Sequence, residues 1–491
     1  MKNPKDNQTK THRAIGLVFA AAVLAICVAA GVFLMHLRNA RKPETYEPGV
    51  TKLHLTAQTD SIEAVMQSEH GYYFLGGSVE YAARKDRETG MEQLEQLFGR
   101  NGAPVLMYAD KETGAVVPVC ARPNCLHDGD LFCPASTRAY SEVRPIYYDG
   151  WIYSVSIKYD EPDAIDPQYG MRTNYNGHQV LLRYAPDGTE ITELYDFGAC
   201  SGDYRPVTAV HRGYLWLSCV LVHEGETVVN PLTGEEELFQ NGGYEIWGYE
   251  FKTGKLTKMY EDLAEPSANV VKQPPNALCG IGDDLYFQIQ KEVWSGTNSV
   301  YRLNLLSGEV SDAGKGNLEY GFSDTHILRR QLAGVGSAEE GWYLTNLASG
   351  TETFLGSWST GCDNAYLSKD YLYKEQYGTT LQICDFNGNV LGEIPLSQHF
   401  SLKEYPKNWK LSYQFDPSGC VTDGMIYASY RVSWFESDTG FNWELESGML
   451  ACPVEEILNG KTEWQLVYET IDADEAEENL RIRLEQRGTK A

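Results

Sequence analysis

The fold class this sequence predicts is all-β: a β-propeller of about seven blades, with six or eight as neighbouring counts, preceded by one transmembrane helix. Three observations predict it. Short strands with period-two alternation recur through residues 70–470, each introduced by a tight turn. Seven such openings interleave with seven glycine-containing closing turns. The copies are spaced unevenly, by about 40 to 80 residues, whereas a β-solenoid would hold its period tightly.

In chain order, residues 1–13 form a short tail. Lys2, Lys5, Lys10 and Arg13 precede the apolar run, against Arg38, Arg41 and Lys42 after it, so the positive-inside rule puts this tail in the cytoplasm. Residues 14–37 are the expected anchor. Ala14 to Met35 carries no charge and is long enough to cross a hydrocarbon core of about 30 Å. A buried soluble helix has nothing after it to surround it. The apolar part of a cleaved signal peptide would span only about 7–15 residues, so an uncleaved signal anchor is expected. Leu24-Ala25-Ile26-Cys27 approaches a lipidation box, but Ile26 stands where a small residue belongs and the run continues past Cys27. Residues 38–50, with Pro43 and Pro48, read as a tether. The expected location is therefore the cell membrane, single-pass, with the C-terminal domain extracytoplasmic.

The propeller is expected over residues 51–471, where Leu53 to Gln58 alternates weakly and is a candidate ring-closing strand. The clearest copy runs from Gly282 to Val310. Asp283-Asp284 turn the chain, Leu285 to Ile289 alternate as a strand, and Val300 to Leu305 form a second strand ending at Ser307-Gly308. A unit this small cannot bury its own apolar face and needs stacked neighbours. The other openings stand at Gly71, Asp149-Gly150, Arg212-Gly213, Asp324, Asp370 and Asp423-Gly424, that at Asp324 being the faintest. The other closing turns are Thr113-Gly114, Asp187-Gly188, Thr253-Gly254, Ser349-Gly350, Asn387-Gly388 and Asn459-Gly460. Glycine there supplies the positive φ that tight turns demand. Radial repetition of such sheets leaves few exposed edges. Residues 472–491 are a charged tail, expected as a short exposed helix or a disordered segment.

The turn-and-strand rhythm, with Asp-Gly before an aliphatic-Tyr pair and Tyr301-Arg302 running on to Gly308-Glu309, resembles that of TolB-like extracytoplasmic propellers. The stretch Cys120-x4-Cys125-x-His127-x5-Cys133 resembles a signature of membrane-anchored propeller proteins of Gram-positive anaerobes. The resemblance covers most of residues 70–470. It implies the fold and an extracytoplasmic body, and no particular activity.

Charge narrows the partners. Residues 1–42 carry seven basic and one acidic residue; the remainder holds 34 basic against 67 acidic, a net of −33. Such a body is repelled by phosphate backbones, so no nucleic-acid partner is expected. The membrane is met through the N-terminal helix.

Cys120, Cys125, His127 and Cys133 are the one dense group of soft donors, four within 14 positions. Tetrahedral zinc takes such a set, and Cys125 and His127 point to one side of an extended segment. The spacing fits no standard zinc finger, and an exported chain favours disulfides. A structural zinc, a disulfide and packed free thiols all stay open. Asp128-Gly129-Asp130 reads as a plain turn rather than a calcium site. There is no His-Glu-x-x-His, Gly-x-Ser-x-Gly or phosphate loop. The α/β-hydrolase domain of propeller-bearing peptidases is not expected after the last blade.

The connections between opening and closing strands are long in copies seven, one, two and three: Ser433–Gly448, Gly76–Gly102, Lys158–His178 and His223–Gly243. These copies are consecutive around a ring, so the insertions are expected to raise one wall on half of one face. Candidate binding residues on it are Trp434, Phe435, Trp443, Tyr159, Tyr169 and Tyr175, with Phe441, Phe239 and Tyr244 beside them. Rings on loops above a rigid scaffold suit a cell-envelope glycan or a protein partner. Packing of these rings beneath their own loops is the alternative. The expected function is a cell-surface binding or scaffold module; the rivals are a polysaccharide lyase or hydrolase working at the central channel and a structural part of a membrane complex.

Overall fold

The computed structural model describes residues 66–76, 79–85, 92–98, 105–125, 127, 133–137, 140–160, 176–201, 206–221, 227–229, 236–238, 242–263, 273–290, 298–318, 321–331, 339–422, 424–436 and 441–486. The tail 1–13, the anchor 14–37, the tether 38–50, Leu53–Gln58, Asp128-Gly129-Asp130, Tyr169, Tyr175 and Phe239 lie outside them. Among the described residues no helix is long and apolar enough to cross a membrane.

Seven antiparallel sheets follow one another along the chain. Blade one is β1 (Met66–Gln67), β2 (Gly71–Gly76), β5 (Val105–Asp110) and β6 (Val116–Pro118), with β3 (Val79–Lys85) and β4 (Glu92–Phe98) set apart as a ribbon. Blade two is β7 (Tyr140–Tyr148), β8 (Trp151–Tyr159), β9 (Asn176–Tyr184) and β10 (Ile191–Ser201). Blade three is β11 (Thr208–His211), β12 (Tyr214–Leu221), β15 (Gly243–Glu250) and β16 (Lys255–Leu263), with a ribbon of β13 (Thr227–Val229) and β14 (Glu236–Leu238). Blade four is β17 (Ala277–Ile281), β18 (Asp284–Gln290), β19 (Asn298–Asn304) and β20 (Val310–Lys315). Blade five has β21 (His326–Gln331), β22 (Gly341–Asn346) and β23 (Glu352–Gly356). Blade six is β24 (Cys362–Leu367), β25 (Leu372–Gln376), β26 (Thr380–Cys384) and β27 (Val390–Pro395). Blade seven is β28 (Leu411–Thr422), β29 (Met425–Glu436), β30 (Phe441–Pro453) and β31 (Gln465–Glu469), with helix α1 (Val454–Leu458) before β31 and α2 (Ala473–Gln486) after it.

The strands read from sequence are the second and third of each blade. The faint fifth copy has a physical reason: its first strand shrinks to a single bridge, Phe322 to Ile327, before β21. The closing turns repeat one device in blades one, three, four and five. The amide of Gly114, Gly254, Gly308 or Gly350 donates to the carbonyl of Asp110, Glu250, Asn304 or Asn346, at 2.8–2.9 Å. In three of them the Asp or Asn side chain also accepts from the amide just before the glycine, at 2.8 Å for Thr113, 2.9 Å for Ser307 and 3.0 Å for Ser349.

Seven apolar clusters fill the seven spaces between neighbouring blades, which closes the ring. Six join successive blades, from Tyr73 and Ile152 between the first two to Ile383 and Leu450 between the last two. The seventh joins blade seven to blade one through Phe74, Ala109, Tyr427, Met449, Ala451 and Tyr468. The rings of Phe74 and Tyr468 stack at 3.5 Å and 2°. All four strands of blade seven come from residues 411–469, so within the described chain this seam is made by side chains alone. Buried amides add bridges between blades: Gln179 donates to the Val220 carbonyl at 2.7 Å and accepts from its amide at 3.1 Å.

Three expectations need correction. The insertion Ser433–Gly448 of blade seven is mostly strand: β29 and β30 run on together beyond the blade and pair Trp434 with Trp443. Alternation simply continues through the segment read as a loop. Second, the charged tail contains α2, which buries Ala476, Leu480, Arg483 and Leu484 rather than standing free. Third, Trp443 is 0% exposed and Tyr244 is likewise core, so neither offers a ring to a partner.

Candidate functional site

The Cys/His stretch begins two residues after β6. Blade one's fourth strand is only three residues long, and the chain that would have extended it instead folds into a knuckle. Val119 donates to the Leu106 carbonyl at 2.8 Å, and the chain returns to the same strand where Leu106 donates to Ala135 at 2.8 Å. Between these anchors the backbone is wound tightly: Asn124 has φ 59° and His127 φ 53°. The left-handed turn at His127 brings its Nδ1 to 3.5 Å from Cys133 Sγ. Cys133 is buried against Val105 and Ala135, with Cys120 and Cys125 half-buried beside it.

Blade two supplies the other wall. Ala121 donates to the Gly188 carbonyl at 3.0 Å. A Cβ on Gly188 would sit 2.3 Å from the Cys120 amide nitrogen, so only glycine lets the closing turn approach this closely. The knuckle therefore lies between the first two blades and touches both.

One ligand atom from each of Cys120, Cys125, His127 and Cys133 lies within 4.8 Å of the others. Tetrahedral zinc, with sulfur at about 2.3 Å and nitrogen at about 2.0 Å, keeps its ligand atoms about 3.5–3.8 Å apart, so this spread matches a metal-sized cage. Cys120, Cys125 and Cys133 are free thiols, as are six further described cysteines. Burial pushes the Cys125 thiol up, but hydrogen bonds from the His127 amide and from Cys133 and Cys120 outweigh it and hold the thiol below its ordinary value. For Cys133 burial prevails, and the thiol is pushed up to about 12. A donor set of three sulfurs and one imidazole fits a closed structural metal site.

The expected recognition wall is only partly a wall. Around blades seven and one, the long hairpin of β29 and β30, the ribbon strand β4 and helix α2 meet in one cluster of Trp409, Trp443, Leu445, Leu480 and Leu484, joined by Leu94, Trp434 and Phe441. The Trp443 indole donates to the Ala476 carbonyl at 3.1 Å. Arg483 lies 4.0 Å over the Phe441 ring and donates to the Leu94 carbonyl. Of the predicted rings, Trp434 and Tyr159 are half-buried and Phe435 is 39% exposed. The structure does not bring Tyr159 into the cluster with Trp434.

Two aromatic residues not singled out from sequence stand further out. Trp358 is 75% exposed and Tyr377 63% exposed, on the junction of blades five and six. Both sit where connections are short, which is why a search for long insertions passed them by. The usable signal was local: Ser357-Trp358-Ser359-Thr360-Gly361 has capping residues around a lone tryptophan, and Tyr377-Gly378 is a ring in a four-residue turn.

No protein-family model matches the chain, and no curated protein matches it. Among solved structures, the chain is similar to TolB from Acinetobacter baumannii at 12% identity over 80% of this chain and 81% of that one, with a TM-score of 0.31. It is similar to the β-propeller domain of the Trilobed protease from Pyrococcus furiosus at 9% identity, over 87% and 98%, with a TM-score of 0.40. BamB from Moraxella catarrhalis matches at 11% identity over 74% and 92%, with a TM-score of 0.34.

Proposed function

We propose that this chain is a membrane-anchored binding or scaffold module, held at the cell surface by residues 14–37, with a structural zinc fastening its first two blades. The supporting observation is the layer built by ribbon, hairpin and α2. The closing seam of Phe74, Tyr427 and Tyr468 is a separate cluster, so this layer also raises a one-sided surface from an otherwise repetitive disc. The partner is a cell-envelope glycan or protein, and the net charge of −33 after residue 42 disfavours nucleic acid. A zinc held by Cys120, Cys125, His127 and Cys133 would contribute folding energy, since a catalytic zinc keeps one position open for water.

The test uses the full chain in detergent. Purified protein should carry one zinc, lost in Cys125→Ser; thiols that titrate freely in metal-free protein would remove the zinc assignment. Wild type should be retained on isolated envelope material, with retention reduced in Phe435→Ala. No retention of a folded, wild-type protein overturns the module reading.

One observation favours an enzyme instead. At the β24–β25 edge of blade six, burial raises the Glu375 carboxyl above its usual range, with Asp416 and Asp363 adding to the effect, and Asn364 donates to Glu375 at 2.7 Å. A raised carboxyl beside two further carboxyl groups is an acid/base arrangement suited to a polysaccharide hydrolase or lyase. Release of sugar ends from envelope polysaccharide, abolished in Glu375→Gln, would establish it.

A further inference from the structure

We propose that Trp358 and Tyr377 form a stacking platform for an uncharged sugar ring, with Asp363 at its polar edge. This goes beyond the surface at blades seven and one, and rests on the module reading, by naming a ligand class and a second place.

The backbone beneath both rings is tied down. Trp358–Thr360 is one 3-10 turn whose ends are tied reciprocally: Ser357 N donates to Thr360 Oγ1 at 2.7 Å, and Thr360 N donates to the Ser357 carbonyl at 2.9 Å. Gly361 then leaves the turn in the left-handed region, donating to the Trp358 carbonyl at 3.1 Å. A Cβ on Gly361 would fall 2.3 Å from Tyr377 Cζ, so the Tyr377 ring lies directly on that backbone. Tyr377 itself is held at φ 53°, a region a large side chain rarely adopts. Its amide donates to the Gly361 carbonyl at 3.1 Å and its hydroxyl to the Thr360 carbonyl at 3.4 Å. A strained backbone that holds an aromatic ring out in water is the kind of outlier found at binding sites.

Chemistry selects the ligand. An aromatic face gives the C–H face of a pyranose an apolar surface, while nearby hydroxyl and carboxylate oxygens take its hydroxyl groups. The Asp363 carboxylate lies 3.9 Å from where a Cβ on Gly378 would be, beside the Tyr377 turn. The Ser359 hydroxyl is on the Trp358 turn, 2.8 Å from that of Ser357. With −33 on the body of the chain, uronates and phosphate-bearing polymers are repelled, which leaves neutral glycans.

The experiment titrates the full-length protein, in detergent, with cellohexaose, xylohexaose and N-acetylchitohexaose, and in parallel with hexagalacturonate and hexalysine. Calorimetry should detect binding of at least one neutral oligosaccharide. Trp358→Ala and Tyr377→Gly should each weaken it about tenfold or more, the range of an aromatic anchor. Both variants keep the fold: Trp358 is exposed, and glycine suits the left-handed backbone at 377. Leu263→Ala, an exposed side chain at the end of β16 in blade three, should leave this binding unchanged. Binding of no neutral oligosaccharide, unchanged binding by both platform variants, or binding of hexalysine alone overturns the proposal. If wild type is still retained on envelope material in any of those cases, the module reading survives while the platform falls.

Discussion

Blade one is gripped on both sides, by unlike means. Toward blade two it carries a knuckle whose four donors lie within 14 consecutive residues, set against the turn at Gly188. Toward blade seven it has rings from the far end of the chain: Phe74 on Tyr468, the Tyr427 hydroxyl 3.4 Å from Gln67, and α2 reaching β4 through Arg483. The first grip can organise from local chain; the second exists only when the ring is closed. Local fastening costs little loop entropy, whereas long-range closure must be repaid by apolar burial. The knuckle therefore adds a local fastening to an apolar seam, Met66 and Tyr73 against Ile152 and Tyr184, whereas the closing seam rests chiefly on apolar burial.

The sharpest way to break the second grip is Trp443→Ala. Removing a fully buried indole should cost about 3–5 kcal/mol, read as a lower urea midpoint, and should expose α2 to protease. Breaking the first grip with a zinc chelator should cost about 2.7 kcal/mol if free zinc stands a hundredfold above its dissociation constant. Hydrogen exchange should then rise around residues 119–137 and stay unchanged in α2; loss of protection in both would show the two grips to be coupled. The third test is pH. Burial, with Glu446, Asp472 and Asp474 adding, raises the folded-state pKa of Glu469, in the last strand of blade seven. A carboxyl raised on folding stabilises below its unfolded pKa, and that contribution is lost as pH rises through the folded value. Glu469→Gln should therefore gain on wild type in melting temperature at pH 7–8, and the gain should shrink as pH falls toward 4. Smallest is Asp474→Asn. It frees Lys403 from one of two partners, but the Asp474 side chain is 93% exposed, so the melting temperature should stay indistinguishable from wild type.

What was legible in the sequence follows the physics of burial. Second and third strands are covered on both faces and framed by turns, so β18 and β19 stood out. Fourth strands sit at the outer edge: β27 exposes most of Val390–Pro395 and lacks the alternation that marks a half-buried strand. The cysteine knuckle was legible because ligand spacing is local. A helix after residue 472 was one of two expected states, but its burial was not legible, because acidic and basic residues outnumber its apolar ones. Its stripe of Ala476, Leu480 and Leu484, with the stem of Arg483, is visible only at i, i+4 and i+8. Missing that stripe is what turned Trp443 into a supposed binding ring.

The seam between blades seven and one also sets an order of events. Phe74 and Ala109 are made among the first residues of the ring, and Tyr427, Met449 and Tyr468 among the last. Until synthesis reaches the seventh blade, the outer flank of the first remains an uncovered apolar surface, open to aggregation or to a chaperone. Closure is necessarily a late step, and a chain halted before Tyr468 would present that flank to whatever it meets first.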